Sequence, residues 1–479
     1  MTDCLLWTID AMANAMNAQR AATLPAGITG ISIDSRTVGK GEAYFAIKGD
    51  THDGHAFVGK ALEAGAGLAV VAASKRAEMP AAAPLLIVDD VLAGLTDLAR
   101  AARARSPGKI IAVTGSVGKT STKEALRVAL SRNGETHASV ASFNNHWGVP
   151  LSLARLPESA HYAIFEIGMN HAGEITPLTK LVQPDIAIIT TIAPVHLEFF
   201  KSLDAIADAK AEIFLGVVPG GAAIINRDVP QFARLKKHAE AAGISRLVSF
   251  GEKRGANARL VKLALQTESS AIEADILGER VTYKLGAPGK HLALNSLAVL
   301  AAAKLAGADL ALAALALGGV APANGRGTRI PLVMPDGEAI LIDESYNANP
   351  TSMRAALALL GQAPVGQKGR RIAVLGDMLE LGTQGAALHK GLASAIKQNA
   401  IDLVFCAGPL MESLWQALPH NRRGAYAKNA AALESEVVSA VHGGDALMVK
   451  GSAGSRMGPI VKALTRRYTR PATAGQEDL

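Results

Sequence analysis

Short apolar runs rich in β-branched residues alternate with longer Ala- and Leu-rich segments along almost the whole chain. This alternation is typical of an α/β protein with largely parallel sheets, because each parallel strand needs a crossover before the next. The 479 residues include only 3 Trp, 6 Tyr and 10 Phe, so the cores must consist mainly of Ala, Leu, Val and Ile. A chain of this length is expected to form two or three domains.

Two breaks divide the chain into three blocks. Ser106-Pro107-Gly108 ends a helix predicted over 91–105, and Gly325-Arg326-Gly327 precedes the last block. We therefore predict domains at 1–107, 108–327 and 328–479. The last block is expected to form a doubly wound, Rossmann-like sheet, and 470–479 a frayed tail.

The predicted strands and helices follow this division. The strands of the first block are ISID, AYFAI, LAVVA and LLIVD. The middle block has strands over 109–115, 161–169, 185–192, 222–226, 247–251 and 281–285, with helices over 119–132 and from 292. The last block has strands ILIDESY, RIAVLGDM, DLVFCAG and ALMVKG, and Asn349 followed by Pro350 predicts a helix start.

Charge and cysteine content narrow the class of protein. Lys and Arg number 49 against 42 Asp and Glu, and this excess is dispersed, which favours an anionic small ligand over nucleic acid. Cys4 and Cys406 are too few for a disulfide scaffold or a Cys zinc site and fit a reducing compartment.

The N-terminus lacks a signal-peptide pattern, and the most apolar stretch, 310–321, is shorter than the roughly 20 residues that span a bilayer. We expect a monomeric cytoplasmic protein that binds neither nucleic acid nor membrane.

The sharpest motif is TGSVGKTS, which follows a predicted strand and opens a predicted helix. In a P-loop, glycines let backbone N–H groups face phosphate oxygens, and the helix N-terminus adds positive potential. Lys119 would reach the β- and γ-phosphates of a nucleotide, and the Thr120 hydroxyl would hold Mg²⁺. Val113 stands at the first glycine of the common pattern, so an ordinary strand-to-helix turn is the alternative. The loop residues predicted to bind the nucleotide phosphates are Thr114, Gly115, Ser116, Val117, Gly118, Lys119, Thr120 and Ser121.

Glu166 ends the apolar run AIF on a strand predicted to lie beside the first strand of the middle block. A carboxylate at the end of a buried strand is costly without a partner. A Mg²⁺-binding role next to the γ-phosphate is favoured, and a capping Glu at a strand end is the alternative.

Other polar residues of the middle block are weaker candidates. Asn144 and Asn145 lie in a turn predicted between two helical segments, where they could hold substrate oxygens or make turn hydrogen bonds. His196 follows the predicted strand 185–192, at a sheet edge where sites gather, although a single His alone favours an ordinary structural role. Lys210 and Glu212 lie on a helical stretch whose spacing also fits a solvated face.

Polar clusters also occur in the outer blocks. DESYNANP at 343–350 places polar and aromatic groups between a strand and a helix N-terminus; a capped loop would explain Asn349 and Pro350 but not Tyr346 and Asn347. The first block carries DSR at 34–36 and KGDTHDGH at 48–55, where anion or sugar recognition is favoured over a metal site because the histidines lie in a Gly-broken turn.

These motifs together resemble those of the Mur ligases, the ATP-dependent amide-forming enzymes of peptidoglycan precursor assembly. The family's phosphate loop has the form T-G-x-x-G-K-T, which accounts for Val113. Two departures stand out: Leu292 replaces the Asn of the family's G-x-H-N pattern, and Ala453 replaces the Arg that usually follows KGS, with Arg456 three residues on. The matching segments are DSR, KGDTHDGH, FEIGMNHAGEI at 165–175, AKAEI at 209–213, DESYNANPTSM at 343–353, LGDMLELG at 375–382 with His389, and KGS at 450–452.

The resemblance implies a ligase that uses ATP to join D-alanyl-D-alanine to the terminal carboxylate of UDP-N-acetylmuramoyl-tripeptide through an acyl phosphate. It implies a UDP-sugar-binding domain, a central P-loop parallel-sheet domain that binds ATP, and a C-terminal Rossmann-like domain that binds the incoming dipeptide. It also implies two Mg²⁺ ions held by Thr120, Glu166, His196 and Lys210, with Lys210 carried as a carbamate.

The resemblance assigns the remaining roles residue by residue. The expected catalytic residues are Lys119, His196, Lys210 and Arg326. Further ATP contacts are expected from Asn295, Arg326 and Asp343. The expected substrate contacts are Ser35, Arg36, Asp53, His55, Asn144, Asn145, Tyr346, Asn347, Asn349 and Lys450.

Three other classes of protein are alternatives to this ligase. A regulatory P-loop NTPase would hydrolyse nucleotide without ligation, which the DESYNANP loop and the three-block layout disfavour. Another amide ligase of the superfamily, such as a folylpolyglutamate synthase-like enzyme, is disfavoured by the polar first block. A non-catalytic α/β binding protein is disfavoured by Lys119, Thr120 and Glu166 together. The third peptide residue, diaminopimelate or lysine, stays open.

Overall fold

The computed structural model describes residues 5–49, 52–140, 142–322 and 324–468. Helices alternate with mostly parallel strands, which confirms the predicted α/β class. The predicted tail at 470–479 and Cys4 lie outside the described residues. None of the helices within those ranges combines the length and apolarity needed to cross a bilayer.

The N-terminal region is built on a sheet with strand order β2-β7-β6-β5-β4. β2 runs antiparallel to β7 and the other neighbours are parallel, while β1 and β3 form a separate antiparallel pair. The strands are β1 Trp7–Thr8, β2 Gln19–Ala21, β3 Gly27–Ile28, β4 Ile31–Ser32, β5 Ala43–Phe45, β6 Leu68–Ala72 and β7 Leu85–Val88. The helices are α1 Ile9–Met16, α2 Val58–Glu63 and α3 Val91–Arg105, the last as predicted.

The central sheet has strand order β16-β15-β14-β13-β12-β11-β8-β10-β9. β8 lies between β10 and β11 and is parallel to both, so the carboxyl ends of these three strands share one edge. The strands are β8 Lys109–Thr114, β9 Thr136–Ala138, β10 Tyr162–Glu166, β11 Ile186–Ile189, β12 Ala222–Asn226, β13 Arg246–Gly251, β14 Ala258–Leu265, β15 Ser270–Ile276 and β16 Glu279–Leu285. The helices are α4 Lys119–Ser131, α5 Gly148–Ala154, α6 Ile175–Val182, α7 Leu203–Ala211, α8 Phe232–Ala241, α9 Lys290–Leu305 and α10 Leu310–Ala316.

The C-terminal sheet has strand order β17-β18-β22-β19-β20-β21 and is parallel except for β17. The Asn349 side chain caps α11 in a capping box with Ser352, and Pro350 is its first residue, as predicted. The strands are β17 Thr328–Met334, β18 Gly337–Glu344, β19 Arg371–Gly376, β20 Leu403–Ala407, β21 Arg423–Ala427 and β22 Ala446–Lys450. The helices are α11 Pro350–Gly361, α12 Gly385–Lys390, α13 Leu392–Gln398, α14 Glu412–Ala417, α15 Ala430–Ala440 and α16 Gly458–Tyr468.

The N-terminal and central sheets share one hydrophobic core, which extends from α1 and α3 to α5, α6 and α7. Trp7 lies at this junction: its indole N–H donates to the carbonyl of Ala154 at 2.9 Å, and the Arg105 guanidinium lies 3.4 Å from its ring centre. The C-terminal sheet has its own cores on its two faces. The first two sheets are therefore packed as one unit, and the C-terminal sheet is a separate body that contacts it.

Candidate active site

The phosphate loop connects β8 to α4 at the carboxyl edge of the central sheet. Gly115 and Gly118 have φ of +148° and +86°, a backbone region that favours glycine, and a Cβ at Gly115 would collide with the Thr190 hydroxyl. The Lys119 ammonium folds back and donates to the carbonyl of Gly115 at 2.9 Å. The strand, glycine-rich loop and helix predicted from the motif are all present.

Glu166 lies at the end of β10 and is buried beside the first turn of α4. The Thr120 hydroxyl donates to one carboxylate oxygen at 2.8 Å, and the Asn144 side-chain amide donates to the other at 2.7 Å. The Ser142 hydroxyl lies 3.4 Å from that of Thr120 and accepts from Arg326 at 3.3 Å. The structure thus brings four of the predicted site residues together, with Ser142 as a neighbour that the sequence did not indicate.

The Asn144-Asn145 turn connects a strand to a helix. The prediction of two flanking helical segments was wrong on the N-terminal side, because Thr136–Ala138 pairs with β10 as the edge strand β9. Asn145 accepts a hydrogen bond from the backbone N–H of Gly148 at 2.9 Å, which is a turn contact, whereas Asn144 faces Glu166. Asn145 therefore makes a turn hydrogen bond, Asn144 contacts the buried carboxylate, and a substrate contact of either residue stays a prediction.

Lys210 is the most unusual titratable group of the site. Its side chain is 1% exposed and makes no hydrogen bond or ion pair within the described residues, so the alternative of a solvated helix face was wrong. Burial lowers the pKa of Lys210 well below its ordinary value, and the charge of Lys119 acts in the same direction. The Lys119 pKa is itself lowered by burial, which Glu166 partly offsets. Burial thus favours the uncharged form of the Lys210 amine.

His196 lies in the loop after β11, where its backbone has a φ of +54°. Its Nδ1–H donates to Glu380 of the C-terminal region at 2.5 Å, and this hydrogen bond lowers the pKa of Glu380. Within the described ranges, no three His, Cys, Asp or Glu side chains cluster as a metal site of such residues alone would require. Sequence reasoning did not single out Glu380, although it lies in the LGDMLELG segment.

A pocket beside the phosphate loop provides an apolar surface. Asn295 on α9 lies so close to the loop that a Cβ at Gly118 would come within 2.5 Å of its amide nitrogen. Leu292, which replaces the expected Asn, forms part of the apolar lining. The lining residues include Ser121, Ala125, Leu285, Ala287, Leu292, Asn295, Val320, Pro322 and Arg326.

The predicted site residues of the last block surround the carboxyl ends of β18 and β22. Lys450 is buried, and its ammonium donates to Glu344 at 2.9 Å and to the carbonyl of Asn347 at 3.0 Å. The Tyr346 ring is 43% exposed. Asn349 is occupied in capping α11, and the Asp343 carboxylate accepts from the backbone of Ser345 at 3.0 Å.

The predicted residues of the first block divide into exposed and internal ones. Arg36 is exposed and pairs with Asp34 at 2.7 Å, which lowers the pKa of Asp34 to about 2; Ser35 lies between them. His55 is buried, with Nδ1 2.6 Å from Asp53 and Nε2 accepting from the backbone of Ala72 at 3.0 Å. Both ring nitrogens are thus occupied, so Asp53 and His55 hold the loop in shape.

Comparisons with known proteins agree with this architecture. The Mur ligase family, catalytic domain matches residues 27–103, the Mur ligase middle domain matches 113–303, and the Mur ligase, glutamate ligase domain matches 328–453. The UDP-N-acetylmuramoyl-tripeptide--D-alanyl-D-alanine ligase of Rickettsia prowazekii is 32% identical over 431 residues, covering 90% of this chain and 94% of the relative.

Solved structures give the same result. MurF from Acinetobacter baumannii superposes with a TM-score of 0.82 at 29% identity, covering 96% of this chain and 99% of that one. MurF ligase from Thermotoga maritima in complex with ADP has a TM-score of 0.73 at 24% identity, covering 91% and 98%, and thus shares the fold. These structures confirm the predicted three-domain α/β architecture with a central P-loop sheet and a C-terminal Rossmann-like sheet. From its sequence and its fold, the chain belongs to the Mur ligase family.

Proposed function

We propose that this chain joins D-alanyl-D-alanine to the terminal carboxylate of UDP-N-acetylmuramoyl-tripeptide and converts ATP to ADP and phosphate. The observation that carries the proposal is the Thr120–Glu166 hydrogen bond beside Lys119, which places a phosphate loop and a buried acidic group at one sheet edge. The relative from Rickettsia prowazekii, named for this reaction, extends over 90% of the chain.

ATP is needed because a free carboxylate is a poor electrophile. In the proposed reaction a peptide carboxylate oxygen attacks the γ-phosphorus, the bond to ADP breaks, and an acyl phosphate forms. The dipeptide amine then attacks the acyl carbon, loses a proton, and expels phosphate. Lys119 and Arg326 carry the positive charge that would offset the charge developing on the phosphoryl oxygens.

The donor set around Glu166 fits Mg²⁺. Hard cations prefer oxygen ligands, and Mg²⁺ is commonly held by one or two carboxylates together with substrate phosphates. Thr120 and Glu166 offer such oxygens, with the Ser142 hydroxyl alongside. We assign Thr120, Glu166 and His196 to cation binding; bound Mg²⁺ would neutralise charge on the transferring phosphoryl group.

Lys210 is proposed to carry a carbamate. Its neutral amine would attack CO₂, form an N–C bond and release one proton, which replaces a buried amine by an oxygen donor. The support is its burial without a counter-ion and its strongly lowered pKa. The carbamate would provide the ligand for a second Mg²⁺.

The binding of the three ligands is assigned to different sheets of the molecule. We propose that the apolar pocket with Asn295 and Arg326 takes the adenine end of ATP. Asp343 on β18, whose carbonyl accepts from the backbone N–H of Gly327 at 2.8 Å, is proposed as a further ATP contact. The loops with Ser35, Arg36, Asp53 and His55 would bind the UDP-sugar, and the edge with Tyr346, Asn347, Asn349 and Lys450 the dipeptide. Domain boundaries after 107 and 327, a monomeric state and a cytoplasmic location stay predictions.

The deciding experiment is a ligation assay with purified protein, ATP, D-alanyl-D-alanine and UDP-N-acetylmuramoyl-tripeptide carrying either diaminopimelate or lysine. We expect ADP release that depends on both acceptor and tripeptide, and a product whose mass is the sum of the two less one water. Nucleotide hydrolysis that is indifferent to both substrates would instead support a regulatory NTPase.

A further inference from the structure

The contact between His196 and Glu380 joins the central and C-terminal sheets at the candidate active site. The His196 Nδ1–H donates to the Glu380 carboxylate at 2.5 Å, and the backbone N–H of Glu198 donates to the carbonyl of Glu380 at 3.2 Å. Gly382 packs against Glu198, since a Cβ there would lie 3.4 Å from the Glu198 Cα. Side-chain and backbone contacts together fix the two loops relative to each other.

The loop that carries Glu380 is anchored within the C-terminal sheet. The backbone N–H of Met378 donates to His389 Nε2 at 2.9 Å, and that of Leu379 donates to the Ser452 hydroxyl at 3.0 Å. Glu380 follows directly and has a φ of +60°, a conformation that residues with a side chain rarely adopt. The anchors therefore hold Glu380 in an unfavourable backbone state that directs its carboxylate to His196.

The loop that carries His196 is anchored to the phosphate loop. The backbone N–H of Ser116 donates to the carbonyl of Thr191 at 2.9 Å, and the Ser116 hydroxyl accepts from the backbone N–H of Ala193 at 3.0 Å. His196 also has a positive φ. The phosphate loop is thus hydrogen-bonded to the segment that leads, three residues after Ala193, to His196 and its contact with Glu380.

The two nitrogens of the His196 ring have different surroundings. A carboxylate is an acceptor, so Nδ1 carries the proton, and in the neutral form of the ring Nε2 is left with a lone pair. Within the described residues Nε2 has no hydrogen-bond partner. A carboxylate on the second nitrogen is the arrangement that fixes the orientation of metal-binding histidines and raises their basicity.

We propose that Glu380 is a positioning residue, which holds His196 in the tautomer and orientation that bind the divalent cation. The inference rests on the proposed function, in which His196 is a cation ligand. Because Glu380 belongs to the C-terminal sheet, cation affinity is coupled to the docking of that sheet on the central one. The cation site is then completed by the same contact that brings the dipeptide-binding edge to the phosphate loop.

The test measures Mn²⁺ binding to the full-length protein with ADP present, by titration of the free-Mn²⁺ EPR signal. Glu380→Ala should weaken Mn²⁺ binding by about tenfold or more. Glu380→Gln, which keeps an acceptor of the same length, should recover most of the affinity. Glu198→Ala is the matched control, because the exposed Glu198 side chain lies two residues from His196 and should leave Mn²⁺ affinity unchanged.

A double-mutant cycle separates positioning from general loosening of the structure. In a His196→Asn background, Glu380→Ala should have no further effect on Mn²⁺ affinity, because Glu380 acts through the ring. A full additional loss in that background, or wild-type affinity in Glu380→Ala, would overturn the proposal. If Glu380→Ala does not fold, Glu380→Asp replaces it, since its carboxylate is one methylene too short to reach Nδ1.

A parallel product assay separates the positioning role of Glu380 from the proposed ligation reaction. The wild-type protein is assayed for ligated product in parallel. Product formation combined with unchanged Mn²⁺ affinity in the Glu380 variants would reject the positioning role alone, whereas the absence of product in the wild type would reject the proposed reaction.

Discussion

The Arg326 guanidinium lies 4.0 Å from the ring centre of Tyr346 and also donates to the Ser142 hydroxyl. Arg326 thereby contacts both the loop that follows β18 and the loop after β9, whose Asn144 donates to Glu166. A cation stacked on an aromatic ring keeps a fixed direction without losing its positive charge. The stacked ring thus orients the arginine that we assign to the phosphoryl oxygens.

Removing the Tyr346 ring should reduce ATP-dependent turnover. Tyr346→Ala removes a cation–π contact of about 0.5–1 kcal/mol, so kcat/KM for ATP should fall roughly two- to fivefold. Tyr346→Phe keeps the ring and should remain near the wild type. Steady-state ADP release measures both, and equal losses in the two variants would assign the effect to the hydroxyl instead.

Lys119→Ala should abolish ATP turnover without unfolding the protein. The loss of a cation from the phosphoryl site is expected to lower kcat on the order of 100-fold or more. Thermal stability should be retained, because burial already disfavours the charge of Lys119. Lys180→Ala, which removes an exposed lysine of α6, is the matched control. Near-normal turnover in Lys119→Ala would remove this lysine from the ATP site.

Lys210→Ala should lose most ligase activity, and added bicarbonate should not restore it, because no amine remains to form a carbamate. In the wild type, depletion of CO₂ should slow the reaction and bicarbonate should restore it. Product formation with and without bicarbonate measures both effects. Full activity of Lys210→Ala would show that this buried lysine is not part of the site.

The sequence predicted the parts of the fold that depend on local patterns. The phosphate loop was recognisable because strand, glycines and helix are contiguous, and the α11 start because Asn349 and Pro350 are adjacent. The hairpin strands β14 and β15 were missed: many of their residues alternate between buried and more exposed positions, and no helix separates them from each other or from β13 and β16.

The candidate site was only partly predictable, because some of its contacts join residues that are far apart in the sequence. Glu166 could be placed near the phosphate loop because it ends β10, which is parallel to β8, and β8 leads directly into that loop. Nothing in the local sequence indicates that His196 contacts Glu380, 184 residues away, or that Lys210 is buried rather than solvated. Such contacts depend on how separately folded sheets pack together.

Trp7→Ala should destabilise the unit formed by the N-terminal and central sheets. Loss of a buried Trp typically costs about 3–5 kcal/mol, and here it also leaves the carbonyl of Ala154 without its indole donor. Urea unfolding followed by circular dichroism should show an early transition in this variant. Trp415→Ala, on α14, should instead affect the C-terminal sheet. A change below about 1 kcal/mol for Trp7→Ala would contradict the shared core.

His389 should make the C-terminal region sensitive to mild acid. The ring is buried; its Nδ1–H donates to the carbonyl of Gly385 at 2.6 Å, and Nε2 accepts from the backbone of Met378 at 2.9 Å. Burial lowers the pKa of His389 from 6.5. Below pH 6.5 the unfolded chain binds the proton more readily than the folded chain, so the free energy of unfolding falls as pH decreases towards the folded pKa.

The slope of the free energy of unfolding against pH that this one group contributes is at most about 1.4 kcal/mol per pH unit, and it vanishes above pH 6.5.

Protonation turns Nε2 into a donor that faces the Met378 N–H, which should release the loop that carries Glu380. Hydrogen exchange of the 372–390 segment, corrected for intrinsic rates, should therefore accelerate between pH 6.5 and 5. His389→Gln keeps a donor and an acceptor but does not titrate, and should remove this acceleration; His420→Gln, at an exposed position, should not. An unchanged pH dependence in His389→Gln would show that another buried group governs the loop.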